Sequence, residues 1–154
     1  MISDTIKKEI VEALKKPEKL RVSVLRMLSS AFHYKRIEKK QDLSEEEELA
    51  VVKAEAKKRK DVIEIYKKHQ NSGTPDSNID ENIIREEREL KILQEYLPEE
   101  ISDEEISKLV ESAISETGAK VISDMGKVIG VVMGKAKGRA DGAKVSALVK
   151  SKLT

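Results

Sequence analysis

The sequence predicts an all-α protein, with an N-terminal helical bundle of about four helices over residues 1–98 and a small three-helix tail over residues 99–154. Three observations predict it. Apolar residues recur at three- and four-residue spacing along most of the chain, which lines up one face of a helix. The composition is 38% charged and 3% aromatic, with frequent Ala, Glu, Lys and Leu, as in helical proteins. Pro98 then interrupts the periodicity and separates two series of helices.

In the first series, Ser3 is placed to cap a helix whose Ile6, Ile10, Ala13 and Leu14 share a face, with Pro17 ending or bending it. A second helix carries Leu20, Val24, Met27, Leu28 and Ala31 on one stripe, extended by Ile37. Ser44 and Glu47 form a capping-box pattern, and the acids at 45–48 suit the positive end of a helix dipole. Leu49, Val52, Ala56, Ile63 and Tyr66 carry the third helix to about residue 69. HQNSGTPDSN reads as a loop, and a fourth helix turns Ile83, Leu90, Leu93 and Leu97 inward.

In the tail, Ser102 and Glu105 repeat the capping-box pattern ahead of Ile106, Leu109, Val110, Ala113 and Ile114, and Gly118 supplies the C-terminal cap. Ser123 is placed to cap the next helix and Asp141 the last, whose Val145, Leu148, Val149 and Leu153 face inward.

The bulk composition excludes several classes of function. No cysteine is present, which removes disulfides, thiolate catalysis and most structural zinc sites. The first residues lack the apolar core of a signal peptide, and the longest uncharged apolar run, Val128 to Met133, is too short to span a bilayer. These features read as a cytoplasmic protein without a membrane role. His33 and His69 have no ligand or carboxylate at metal spacing, the serines sit at caps, and the glycines match no dinucleotide or Walker loop. No catalytic residue, metal or cofactor is implied. The formal charge of +1 hides a strong segregation. Glu99 to Ala119 holds one base and seven acids (net −6), and Lys120 to Thr154 holds eight bases and two acids (net +6).

Within the basic segment, DMGKVIGVVMGKAKGRADG spaces Gly126, Gly130, Gly134 and Gly138 four residues apart, one slowly rotating stripe on a helix. Each glycine inside a helix costs about 1 kcal/mol against alanine, so the stripe needs a reason. Met125, Val128, Ile129, Val132, Met133 and Ala136 form an apolar face beside it. Lys127, Lys135, Lys137, Arg139 and Lys144 gather around the helix, the following turn and the next helix start, where Gly138 and Gly142 bare the backbone. Cationic side chains and N–H groups together suit phosphate, whereas Asp141 opposes it at the last helix start. Phosphate binding and close helix packing account for the glycine stripe equally well.

DMGKVIG…GKAKGRADG, LQEYLPEEISDEEI and LRMLSSAFHYKRIEK together resemble the YqeY family, from about Leu20 to Leu153. Its members are free-standing homologues of the tail region of the B subunit of the tRNA-dependent amidotransferase. The chain departs from the family pattern at Gly134, where a proline is common, and in its longer NSGTPDSN loop. The resemblance implies two helical domains and association with tRNA through the tail. It also implies a setting near an amidotransferase or aminoacyl-tRNA synthetase. The carbon–nitrogen ligase activity linked with the family does not carry over residue by residue. The expected site is Lys127, Lys135, Lys137, Gly138, Arg139, Gly142 and Lys144, holding a phosphate backbone, with the glycine stripe left to helix packing. No aromatic residue follows Tyr96, so the tail has nothing on which to stack bases. Two other classes fit the same features: a helical protein–protein interaction module, and an amidotransferase component active only in a complex.

Overall fold

The computed structural model describes residues 1–73 and 78–153 and is all-α. Among them lie α1 (Ile2–Leu14), α2 (Lys19–Lys39), α3 (Glu45–Asn71), α4 (Ile79–Gln94), α5 (Asp103–Thr117), α6 (Met125–Ala136) and α7 (Gly142–Lys152), with a 3-10 turn (Ile122–Asp124) before α6. The chain divides into two compact units, Met1–Leu97 and Pro98–Thr154.

In the first unit, Ile6 of α1, Val24, Leu25, Leu28 and Phe32 of α2, Val52 and Ala56 of α3, and Leu93 of α4 meet in one core, closed by Leu43 from the α2–α3 connection. Burying each large aliphatic contributes about 1.5–3 kcal/mol, so this cluster dominates the unit's stability. The third helix starts as its sequence dictates. Ser44 Oγ accepts from the Glu47 N–H (3.3 Å), and Glu47 Oε2 accepts from the Ser44 N–H (2.8 Å). Lys39 lies 2.5 Å from the same carboxylate, and these partners hold the Glu47 carboxyl below its ordinary range.

Two expectations for this unit are corrected and a third is sharpened. Ser3 is not a cap: it lies inside α1, buried, and its N–H donates to Glu48 Oε2 (3.0 Å). Glu48 stands in the first turn of α3 with the other three acids, as expected, but unlike them it is a fully buried anchor, with Arg36 at 3.6 Å. Leu14 and Ile37 point outward, and Val22, Leu25 and Phe32 supply the buried contacts in α2 that the stripe of every third or fourth residue had omitted. Within the proposed loop, residues 69–71 continue α3; residues 74–77 lie outside the described residues.

In the second unit, Ile106, Val110 and Ala113 of α5, Val128 and Val132 of α6, and Val145 and Val149 of α7 bury one aliphatic core with Ala119 and Leu153. Ser102 Oγ accepts from the Glu105 N–H (3.2 Å), and α5 ends at Gly118, whose φ of 65° lies in the left-handed region that glycine adopts at no steric cost. Asp141 Oδ1 caps α7 by accepting from the Ala143 N–H (2.9 Å). Ser123 falls within the 3-10 turn and does not cap α6.

Candidate nucleic-acid interface

Asp124 organises the approach to α6. Its Oδ2 accepts from the backbone N–H groups of Lys120 (3.1 Å) and Val121 (3.4 Å), folding the 3-10 turn back on itself. Those bonds, and the charge of Lys127, hold its carboxyl below the ordinary aspartate range. From there Val128, Val132 and Ala136 run buried along the inner face of α6, with Met125, Ile129 and Met133 packed beside them.

The outer face is where packing and sequence part company. Gly126, Gly130 and Gly134 are all exposed, and a Cβ added at any of them would meet nothing within 4 Å. Close helix packing therefore does not explain the stripe. The second unit seats α6 through its valines, and the glycines leave a strip of bare backbone on the outside.

The expected cations distribute unevenly around this strip. Lys127 stands on the first turn of α6 and Lys135 eight residues later, about 12 Å along the axis. The helix ends at Ala136 and is capped by Lys137, which adopts a left-handed conformation (φ 48°), followed by Gly138 (φ 77°). Gly142, exposed, is the first residue of α7, and Lys144 lies in its opening turn. The Asp141 carboxylate already occupies the start of α7, so that terminus repels an anion.

Much of the segregated charge is consumed within the unit. Lys135 Nζ lies 2.5 Å from Glu116, Lys152 2.7 Å from Glu111, and Lys144 3.7 Å from Asp103, so the acids of α5 face the bases of α6 and α7. The Lys152 contact holds the Glu111 carboxyl below its usual range. Arg139 plays a structural part: its Nε donates to the Glu99 carbonyl (3.0 Å), and its own carbonyl accepts from the Ile101 N–H (3.0 Å). Lys137 has no carboxylate partner among the described residues, and Lys127 has only the electrostatic influence of Asp124. Of the five expected cations, all exposed, Lys127 and Lys137 are the two with neither an ion pair nor a side-chain hydrogen bond among the described residues, and they lie near the two ends of the glycine strip. Lys135 and Lys144 are held only by surface pairs, which are worth under about 1 kcal/mol.

The glycines belong to this face rather than beneath it. Their spacing announced a stripe, but a packed and an exposed stripe have the same period, and only the position of the valines on the opposite side separates them. Among the described residues, no group of three or more His, Asp or Glu side chains is placed to hold a metal ion, and no helix is long and apolar enough to cross a membrane.

Comparison with known proteins adds one positive finding. A search of curated proteins returned no match. The family model described as Yqey-like protein matches residues 3–153, through both helical units and across the glycine strip and the KAKGRADG turn. The chain therefore belongs to the Yqey-like protein family.

Proposed function

We propose that this member of the Yqey-like family is a non-catalytic accessory protein that binds tRNA through the outer face of its tail, in the setting of tRNA-dependent amidation or aminoacyl-tRNA metabolism. One observation carries the reading: α6 keeps three exposed glycines with open space above them, bounded by outward lysines at residues 127 and 137. A helix that forgoes about 1 kcal/mol at each interior glycine, without gaining a packing contact, retains an accessible backbone. A ribose-phosphate chain can lie close against such a surface, held by lysines at its ends. Recognition of this kind is of backbone and shape, because no aromatic residue follows Tyr96 and the tail has none on which to stack a base. Its affinity is modest and falls with salt as counterions are released.

The test is a titration of unfractionated tRNA with the intact chain over a range of salt concentrations, comparing wild type with Lys127→Ala/Lys137→Ala. Removing two phosphate contacts lowers the slope of log K against log salt by about 2. An unchanged slope removes these lysines from the interface. Arg139→Ala is a poor probe, because it also releases the Glu99 carbonyl.

A further inference from the structure

The first unit carries a second surface, assembled from residues far apart in sequence. Two adjoining clefts, each of about 510 Å³, share Lys19 and Ser23. One lies between α2 and α4 and is lined by Leu20, Ile84, Arg85 and Arg88 with a single acid, Glu81. The other lies at the α1–α2 turn and is lined by Leu14, Lys16, Pro17 and Arg26. With Arg85 matched by Glu89, counting Lys16, Lys19, Arg26 and Arg88 against Glu81 gives 4 − 1 = +3 around the pair. Over residues 1–97 the sequence holds 21 bases and 20 acids, so the unit as a whole is only +1. The charge is concentrated here.

The arginines make the contrast plain. Arg21 pairs with Glu9 and Glu95, Arg36 with Glu48, Arg59 with Glu86 and Glu89, and Arg85 with Glu89. Arg26 and Arg88 are the two arginines of this unit without a carboxylate partner among the described residues, and each lines one of the adjoining clefts. Between the cationic groups the surface is aliphatic: Leu14 is 54% exposed and Ile84 49% exposed.

We propose that these clefts dock an acidic amphipathic helix of a partner protein, its aliphatic side chains seated against Leu14, Leu20 and Ile84 and its carboxylates on Arg26, Arg88, Lys16 and Lys19. Charge complementarity selects an anion, and Arg offers a bidentate fork for a carboxylate. The exposed aliphatics select an amphipathic anion over a bare one. A nucleic acid gains nothing from Leu and Ile and finds no aromatic side chain in either cleft. A flat bilayer does not enter concave sites, whereas adjoining clefts can seat successive aliphatic anchors of an amphipathic helix. The groove between α2 and α3, of about 740 Å³, lacks this signature, because its rim charges are already paired as Lys35 with Glu38 and Lys58 with Glu55.

The experiment selects short random peptides displayed against the intact chain, then measures one enriched peptide, synthesised and labelled, by fluorescence anisotropy. Enriched sequences combine Asp or Glu with Leu or Ile at three- or four-residue spacing. Affinity falls about tenfold or more in Arg26→Ala/Arg88→Ala, where the lost contacts are charge pairs at an interface, and falls also in Ile84→Ser. All three side chains are exposed, so circular dichroism of the variants stays that of wild type. Lys127→Ala/Lys137→Ala leaves peptide affinity unchanged, which separates this surface from the proposed tRNA face. Three results overturn the proposal: no acidic sequence is enriched, Ile84→Ser binds as wild type, or the tail variant weakens peptide binding. Binding of poly(uridylic acid) or phosphatidylserine vesicles that depends on Arg26 and Arg88, with no peptide bound, also overturns it.

Discussion

Gly130→Ala is the sharpest perturbation of the tail, because its effects on stability and on binding carry opposite signs. Gly130 lies in the interior of α6, six residues short of its end at Ala136, where glycine costs about 1 kcal/mol relative to alanine through lost backbone entropy and exposed peptide groups. Nothing lies within 4 Å of the position a methyl would take, so no clash offsets the gain. The expected change is a stabilisation of about 1 kcal/mol, or about 4–8 °C in the melting temperature of a domain this small. Calorimetry of the intact chain resolves it as an upward shift of the transition belonging to Pro98–Thr154. In the same protein, tRNA affinity falls, and Gly130→Leu lowers it further, because each added side chain lifts the ribose-phosphate backbone off the helix. A fall in melting temperature refutes the reasoning outright, since it means that something packs against this face. A rise in melting temperature with unchanged affinity keeps the open strip and removes it from the RNA interface.

Two further predictions concern the first unit. Glu48→Ala removes the acceptor of the Ser3 N–H and the counter-charge of Arg36, leaving a buried donor unsatisfied. It destabilises the unit by about 3 kcal/mol, read by urea denaturation, and Glu45→Ala, on the exposed side of the same turn, changes stability by under about 0.5 kcal/mol. The Tyr96 phenol, pushed up by burial and by donating to Glu9, keeps its proton in the folded state at pH values where an unfolded chain releases it. A raised folded value gives stability that is complete below the ordinary 10.0 and is lost as pH rises above it. Absorbance titration therefore shows one tyrosine that ionises only with alkaline unfolding; the lack of such a phase contradicts the Glu9–Tyr96 contact.

What was legible in the sequence was what is local. Ser44 with Glu47, Ser102 ahead of Glu105, Gly118 and Asp141 act within one turn of themselves, so their spacing alone dictates their partners. Glu48 shows where this stops. It sits in a run of four glutamates, and only the arrival of α1, bringing Ser3 from 45 residues away, distinguishes it from the rest. The tail's charge segregation was plain, but not that α5 would set Glu116, Glu111 and Asp103 against three of the bases. The glycine stripe was visible and its orientation was not, because period specifies a face without saying which way it points. Arg26 and Arg88 gave no signal at all: they are ordinary helix residues 62 positions apart (88 − 26), and what marks them is the lack of a carboxylate ion pair among the described residues.

The cluster around Glu9 has a consequence for how the protein is made. Arg21 joins Glu9 at 3.0 Å to Glu95 at 2.8 Å, and Tyr96 donates to Glu9 from 87 residues further along the chain. The clasp that fastens the first helix is therefore completed by the last turn of the unit. In a nascent chain, Ile6 and Ser3 can meet their partners on α2 and α3 early, but the Glu9–Arg21–Glu95–Tyr96 clasp closes only when almost the whole unit has been synthesised. Local helices form early, and the closing step waits for the long-range pairing that entropy makes slow. Leu93 of α4 joins the core beside the same turn, so closing the clasp and sealing the core are one late event.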